Sequence, residues 1–273
     1  MSSGFDVADA LALARYAIAA DREAATAVVV AAPDPALIGR RLAWDGRRHH
    51  GDLGNVESAA EARRLLDSST AEGCQRITGD IELYVERWSP PHELVIVGAG
   101  HVAQPLAAVG RLLDFRVTVV DDRPEFASRD RFPDADRVVV ADFEDPLAGI
   151  AVGRRTSIVL VTRGHRHDYV CLRALARSGA EPAYVGMIGS RRRVRAAFEQ
   201  LAAEGVEADW LARIHAPLGL DIGAETPAEI ALAVGAEIVL AARGGSGRPL
   251  SERADILRRV RALAGRAPGG EAR

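Results

Sequence analysis

The chain has 273 residues, 48% apolar and 27% charged, the range of an ordinary globular protein of one or two domains. A net charge of −3 gives no global electrostatic reason to bind nucleic acid or an anionic membrane. The two cysteines, Cys74 and Cys171, are far apart and lack metal-type spacing, which argues against a disulfide scaffold and a structural zinc site; no metal is expected.

The first residues, Met1 to Asp6, carry no basic segment, and no apolar run reaches about 18 residues. Neither a signal peptide nor a membrane span is expected, and the expected location is the cytoplasm. In chain order, the spacing of Ala, Leu and Tyr predicts a helix over Asp6 to Glu23 with Asp6 as N-cap. Val28-Val29-Val30 marks a buried strand within Ala24 to Ala32. Arg41 to Trp44 followed by Asp45-Gly46 predicts a hairpin. Gly51 to Asn55 is expected as a flexible loop, Glu57 to Leu66 as a helix, and the alternating Ile81 to Trp88 as an antiparallel strand.

Ser89-Pro90-Pro91 predicts a boundary, because proline donates no ladder hydrogen bond and biases its predecessor to an extended shape. Beyond it, strands and helices alternate. Strands are expected over Leu94–Val97, Arg116–Val120, Val138–Ala141, Ser157–Thr162 and Ala183–Ile188. Helices are expected over Val102–Leu113, Asp168–Ser178, Arg191–Glu204, Thr226–Ala242 and Ser251–Leu263. Uninterrupted apolar runs such as Ile158 to Val161 imply burial on both faces, as in a parallel sheet.

The strand Leu94–Val97 leads into Gly98-Ala99-Gly100-His101-Val102-Ala103 and a helix. Gly98 permits a tight turn, Gly100 lets backbone approach a diphosphate, and Ala103 keeps helix and strand close. The anion would sit on the helix N-terminus near His101 and Val102. The next strand ends in Asp121, near the offset of a ribose-binding acid; Asp122 and Arg123 follow, Asp121 arguing for a free 2′-hydroxyl while Arg123 could tolerate a 2′-phosphate. The expected fold is therefore α/β. A Rossmann-like parallel-sheet domain over residues 92–245 is preceded by a smaller α+β domain over residues 1–88. A C-terminal helix and flexible tail cover residues 246–273.

Three further segments fall at the carboxyl ends of strands, where open α/β sheets bind ligands. In Thr162 to Asp168, His165 and Asp168 either meet a ligand near neutral pH or, for Asp168, cap the next helix. Gly189, Ser190 and Arg191, with two more arginines, form a turn suited to a phosphate or acidic partner. The loop His215 to Pro227 carries Asp221 and Glu225, which either line a site or form turns, and Thr226 with Glu229 reads as a capping box. Cys74 and Cys171 have no neighbouring motif that would activate a thiol.

These stretches together, Val95 to Val102, Val120 to Glu125, Thr162 to Asp168, Tyr184 to Arg193 and His215 to Pro227, resemble the xanthine dehydrogenase accessory factors, the XdhC/CoxI family. The first domain is similar more loosely, through Gly39 to Leu42, Asp45-Gly46 and Gly51 to Glu57. Many members have a cysteine just before the acidic residue of that last element; here Asn55 and Val56 stand there. Direct sulfur handling by that route is therefore not expected.

The resemblance implies an accessory factor for maturing a molybdenum hydroxylase of the xanthine dehydrogenase type. Such a protein binds the molybdenum cofactor in its molybdopterin form, supports sulfuration by a cysteine desulfurase, and helps insertion into the apo-enzyme. It implies a cofactor-binding chaperone without turnover of its own, with Gly98, Gly100, His101, Asp121, His165, Asp168, Ser190 and Arg191 facing the ligand. Two alternatives use the same glycines: an NAD(P)-dependent oxidoreductase with His165 as proton donor, and a nucleotide-sensing regulator. A homodimer is expected, symmetric dimers being the commonest assembly.

Overall fold

The computed structural model describes residues 12, 14–17, 19, 20, 22–68 and 71–252, with the side chains of His165 and Glu252 excepted. The chain divides into two units between Pro90 and Pro91.

The first unit is built on a five-stranded sheet of order β3-β2-β1-β5-β4. Its strands are β1 (Ala24–Ala31), β2 (Arg41–Trp44), β3 (His49–Asp52), β4 (Gly73–Ile77) and β5 (Ile81–Trp88), all antiparallel. One helix, α1 (Val56–Asp67), buries Ala59, Ala62 and Leu66 in the same core as Leu42, Leu83 and Val85. The alternation read in Ile81 to Trp88 appears as alternating burial along β5. Half of the helix expected over Asp6 to Glu23 lies outside the described residues; of the rest, residues 12, 14–17 and 19 are helical.

The hairpin at Asp45-Gly46 forms: the Asp45 carboxylate accepts from the amides of Arg47 and Arg48, both at 2.9 Å. The expected loop Gly51 to Asn55 is a correction. Gly51 and Asp52 end β3, and a Cβ at Gly51 would lie 2.3 Å from the Arg41 carbonyl oxygen across the hairpin. Glycine is needed there for close strand approach at φ +100°, not for flexibility. Strand β4, Gly-Cys-Gln-Arg-Ile, was not expected, since an edge strand this polar leaves no apolar pattern to read.

The second unit is a six-stranded, wholly parallel sheet of order β11-β10-β9-β6-β7-β8. The strands are β6 (Glu93–Val97), β7 (Arg116–Asp121), β8 (Arg137–Val140), β9 (Thr156–Leu160), β10 (Tyr184–Met187) and β11 (Ile214–His215). Every residue of β9, and all but the first of β6 and β7, is buried, which is why these segments are continuously apolar. Strand order reverses between β6 and β9, the point where such sheets place their ligands.

Helices cover both faces. On one, α2 (Ala103–Leu112) and α6 (Pro227–Arg243) pack with Leu94, Ile96 and Val119. On the other, α3 (His165–Ser178) and α4 (Arg191–Ala203) pack with Val95, Val97 and Leu160. A short helix, α5 (Ala208–Leu211), leads to β11; both are too short to show a period in sequence. Thr226 and Glu229 form the capping box of α6. The helix expected over Ser251–Leu263 falls almost wholly outside the described residues; Leu250–Glu252 is a single 3₁₀ turn.

Candidate functional site

The glycine-rich turn joins β6 to α2 at the strand-order reversal. Gly98 has φ +107°, and a Cβ there would lie 2.5 Å from the carbonyl oxygen of Val161, just past β9. The tight turn is thus also a close backbone contact with the neighbouring strand. The Ala99 amide donates to Asp121 Oδ2 at 2.7 Å, and the Ala99 carbonyl accepts from Arg131 Nη2 at 3.2 Å. The next amides behave differently. Among the described residues, those of Gly100, His101, Val102 and Gln104 have no acceptor, and the N-cap Val102 offers no side-chain hydrogen bond. These orphan donors at a helix N-terminus suit an anion.

Gly100 supplies a test of fit. Its φ is ordinary, and a Cβ there would meet no atom within 4 Å. The chain's own packing therefore does not call for glycine; close approach of a ligand to the backbone does.

Asp121 ends β7 and is 1% exposed. Besides the Ala99 amide it accepts from Arg123, through the amide at 3.1 Å, Nε at 2.9 Å and Nη2 at 3.1 Å. The Arg123 and Arg131 guanidiniums lie 3.6 Å and 4.5 Å from the centre of the Phe126 ring. Both oxygens of Asp121 are thus engaged, and a ribose hydroxyl would have to displace Arg123. Asp122 pairs with Arg163, which reaches from the end of β9; the second contact, Nη2 to Oδ2, is 2.7 Å. The Arg163 guanidinium holds the Asp122 carboxyl down at about 2, so it stays ionised at neutral pH.

Helix α3 starts at His165 with Gly164 as N-cap, three residues before the start read from the sequence, so Asp168 is not the cap. Asp168 is instead 5% exposed, and the Thr162 hydroxyl donates to its Oδ1 at 2.6 Å. Burial pushes its carboxyl up to about 6, against the lowering effect of Thr162. Thr162 also lies 3.1 Å from the Gly164 carbonyl oxygen, so a protonated Asp168 can donate to a hydroxyl that donates onward. The side chain of His165 lies outside the described residues.

Gly189 and Ser190 join β10 to α4; Ser190 Oγ caps the helix by accepting from the Arg193 amide at 3.4 Å, and Arg191 is exposed. Asp221 and Glu225 are exposed in the loop before α6, and neither carboxylate has a hydrogen-bond partner among the described residues. The structure therefore ties the glycine turn, through the Ala99 amide, to Asp121 and Arg123, and Thr162 to Asp168, while Asp221 and Glu225 stand apart from these contacts. Sequence reasoning passed over Arg163, which sat inside the motif already singled out, and Arg131 with Phe126, which carry no local signal. Cys171 is fully buried and burial pushes its thiol up, so it is no nucleophile; Cys74 is exposed on β4. Among the described residues no three His, Cys, Asp or Glu side chains gather as metal ligands.

Comparison with known proteins places this geometry. The chain is 32% identical over 163 residues to the uncharacterized protein YqeB of Escherichia coli strain K12, covering 59% of this chain and 29% of that protein. It is 31% identical over 157 residues to a protein of Bacillus subtilis strain 168 named as a probable xanthine dehydrogenase subunit, covering 58% of this chain and 45% of that one. The matches thus span less than half the length of these curated relatives. A crystal structure described as a xanthine dehydrogenase from Bacillus halodurans superposes with a TM-score of 0.64 at 22% identity, over 85% of this chain and 65% of that chain, a likeness of fold. Residues 94–238, more than half of the chain and including the glycine turn, Asp121, Thr162 and Asp168, match the XdhC Rossmann domain, and the chain belongs to that family.

Proposed function

We propose that this chain is an accessory factor for a molybdenum hydroxylase of the xanthine dehydrogenase type, and that it binds the molybdenum cofactor, in its molybdopterin form, as cargo at the glycine turn. The observation that carries the reading is the set of orphan amides at Gly100, His101, Val102 and Gln104 beside a glycine that the chain's own packing does not require. A phosphate-bearing pterin supplies the anion such a turn accepts. The name of the Bacillus subtilis relative supports the choice of hydroxylase.

In this reading the turn holds the phosphate and Gly98 fixes the turn. Thr162 and Asp168, with His165 and Ser190-Arg191, face the rest of the ligand. Asp168, poised at about 6, can take up or release a proton as the cargo arrives or leaves. The missing thiol at Asn55-Val56 leaves sulfuration to a partner cysteine desulfurase, with delivery to the apo-enzyme following. The nicotinamide reading ranks second, because its ribose-binding acid, Asp121, is already engaged by Ala99 and Arg123.

Binding of molybdopterin, NAD(H) and NADP(H) to the purified chain, with Gly100→Asp as control, tests the proposal. Selective molybdopterin binding that Gly100→Asp abolishes is the expected result. Binding of a nicotinamide dinucleotide alone would overturn it.

A further inference from the structure

A cleft lies on the face of the parallel sheet opposite α2. It sits between α3 and α4, has a volume of about 440 Å³, and is lined among others by Glu144, Arg166, Tyr169, Arg173, Arg193 and Gln200. That volume is in the range of small-molecule sites. Its walls are mixed: Val170, Ala196 and Ala197 give an apolar surface beside the Tyr169 ring, whose hydroxyl is fixed by Glu204.

The charges do not balance. Arg173 is paired with Glu144 at 2.7 Å, the acidic residue of the lining. Among the described residues neither the Arg166 nor the Arg193 guanidinium makes an ion pair or hydrogen bond, and Arg193 acts on the Asp168 carboxylate only at longer range. Two guanidiniums without a direct partner thus stand around one cleft.

Their positions are also costly for the fold. Arg166 is in the first turn of α3 and Arg193 in the first turn of α4, where a positive charge opposes the helix dipole. An anion seated between the two helix starts would turn both penalties into attractions. A doubly charged phosphate matches two forked donors in charge and in geometry better than a single carboxylate does.

We propose that the α3–α4 cleft is a binding site for a phosphate monoester with a small apolar or aromatic body, its phosphate held by Arg166 and Arg193 and its body against Tyr169 and Ala197. The lining of this cleft contains no residue of the glycine turn, and α3 and α4 pack in the core on one face of the sheet while α2 packs in the core on the other. It also bears on the buried acid. Arg193 favours the ionised form of Asp168, so an anion that neutralises Arg193 makes Asp168 harder to ionise.

The test is titration of the whole chain with phenyl phosphate, followed by calorimetry, with phenol as the uncharged control. The expected result is one saturable site for phenyl phosphate and none for phenol. Arg166→Gln and Arg193→Gln should each weaken binding at least about tenfold, or ~1.4 kcal/mol. Ala196→Glu, which puts a negative charge on an exposed wall position, should do the same. Gly100→Asp should leave the affinity unchanged. Retained affinity in all three cleft variants, or absence of saturable binding to the unaltered chain, overturns the proposal. Loss of binding in Gly100→Asp alone also overturns it, by placing the phosphate at the glycine turn, and leaves the cargo-binding reading standing.

Discussion

Single residues decide the turn, and three substitutions follow from their surroundings. Gly98→Ala imposes φ +107° on an L-residue and drives a Cβ to 2.5 Å from the Val161 carbonyl oxygen. The backbone conformation alone costs roughly 1–3 kcal/mol, and the clash adds to it, so the urea midpoint of the variant should fall sharply. The Asn55 side chain accepts from the amides of Glu57 and Ser58 as the N-cap of α1. Asn55→Ala should therefore lower stability by about 1 kcal/mol, read by thermal or denaturant unfolding. The third is Asp168. Burial raises its carboxyl to about 6 from 3.8, so the folded state holds the proton more tightly than the unfolded one. The cost of its ionisation is absent below about pH 4 and grows to roughly 3 kcal/mol above about pH 6. Asp168→Asn should remove that slope from the unfolding free energy measured across this pH range; an unchanged slope would sink the assignment. The tight turn at Gly98 and the place of Asp121 at the end of β7 were legible because a strand–turn–helix unit dictates their type and spacing. The burial of Asp168 was not, because three residues' difference in the helix start changes a cap into a buried group.

At the scale of elements, the long buried strands β6, β7 and β9 announced themselves by apolar runs that helices of the same length would not show. The edges were silent. Strands β4 and β11 are short or polar because edge strands are kept so, and that removes the pattern from which strands are read. The packing of α6 was equally hidden. Its Glu237 accepts from the Tyr184 hydroxyl at 2.6 Å and the Gly219 amide at 2.8 Å, and pairs with His215 Nδ1 at 3.3 Å. Burial and that carboxylate push the Tyr184 phenol up, so it remains a donor. One carboxylate thus ties β10, β11 and the following loop to α6. Glu237→Ala should cost roughly 1–3 kcal/mol for each buried donor it strands, and Tyr184→Phe about 1 kcal/mol. Denaturant unfolding of the two variants would separate these effects.

For the whole molecule, the cores divide where the prolines do. The apolar clusters of the first unit contain no residue beyond Trp88, and those of the second begin at Leu94. A fragment comprising residues 91–273 should consequently fold by itself, with a cooperative thermal transition and dispersed amide resonances; a molten or aggregated fragment would count against independent units. The boundary was readable because Pro90 and Pro91 coincide with a change from antiparallel alternation to parallel, doubly buried strands. The contact between Gly98 and the backbone after β9 has a mechanical consequence for the larger unit. Because the two segments touch without an intervening side chain, the turn cannot shift without moving Val161 and Thr162. The two sides of the strand-order reversal then behave as one stiff jaw. Amide hydrogen exchange at Gly98 and Ala99 should therefore be slow in the free protein and change little on binding, while Gly100 to Val102 become protected only when their acceptor is supplied.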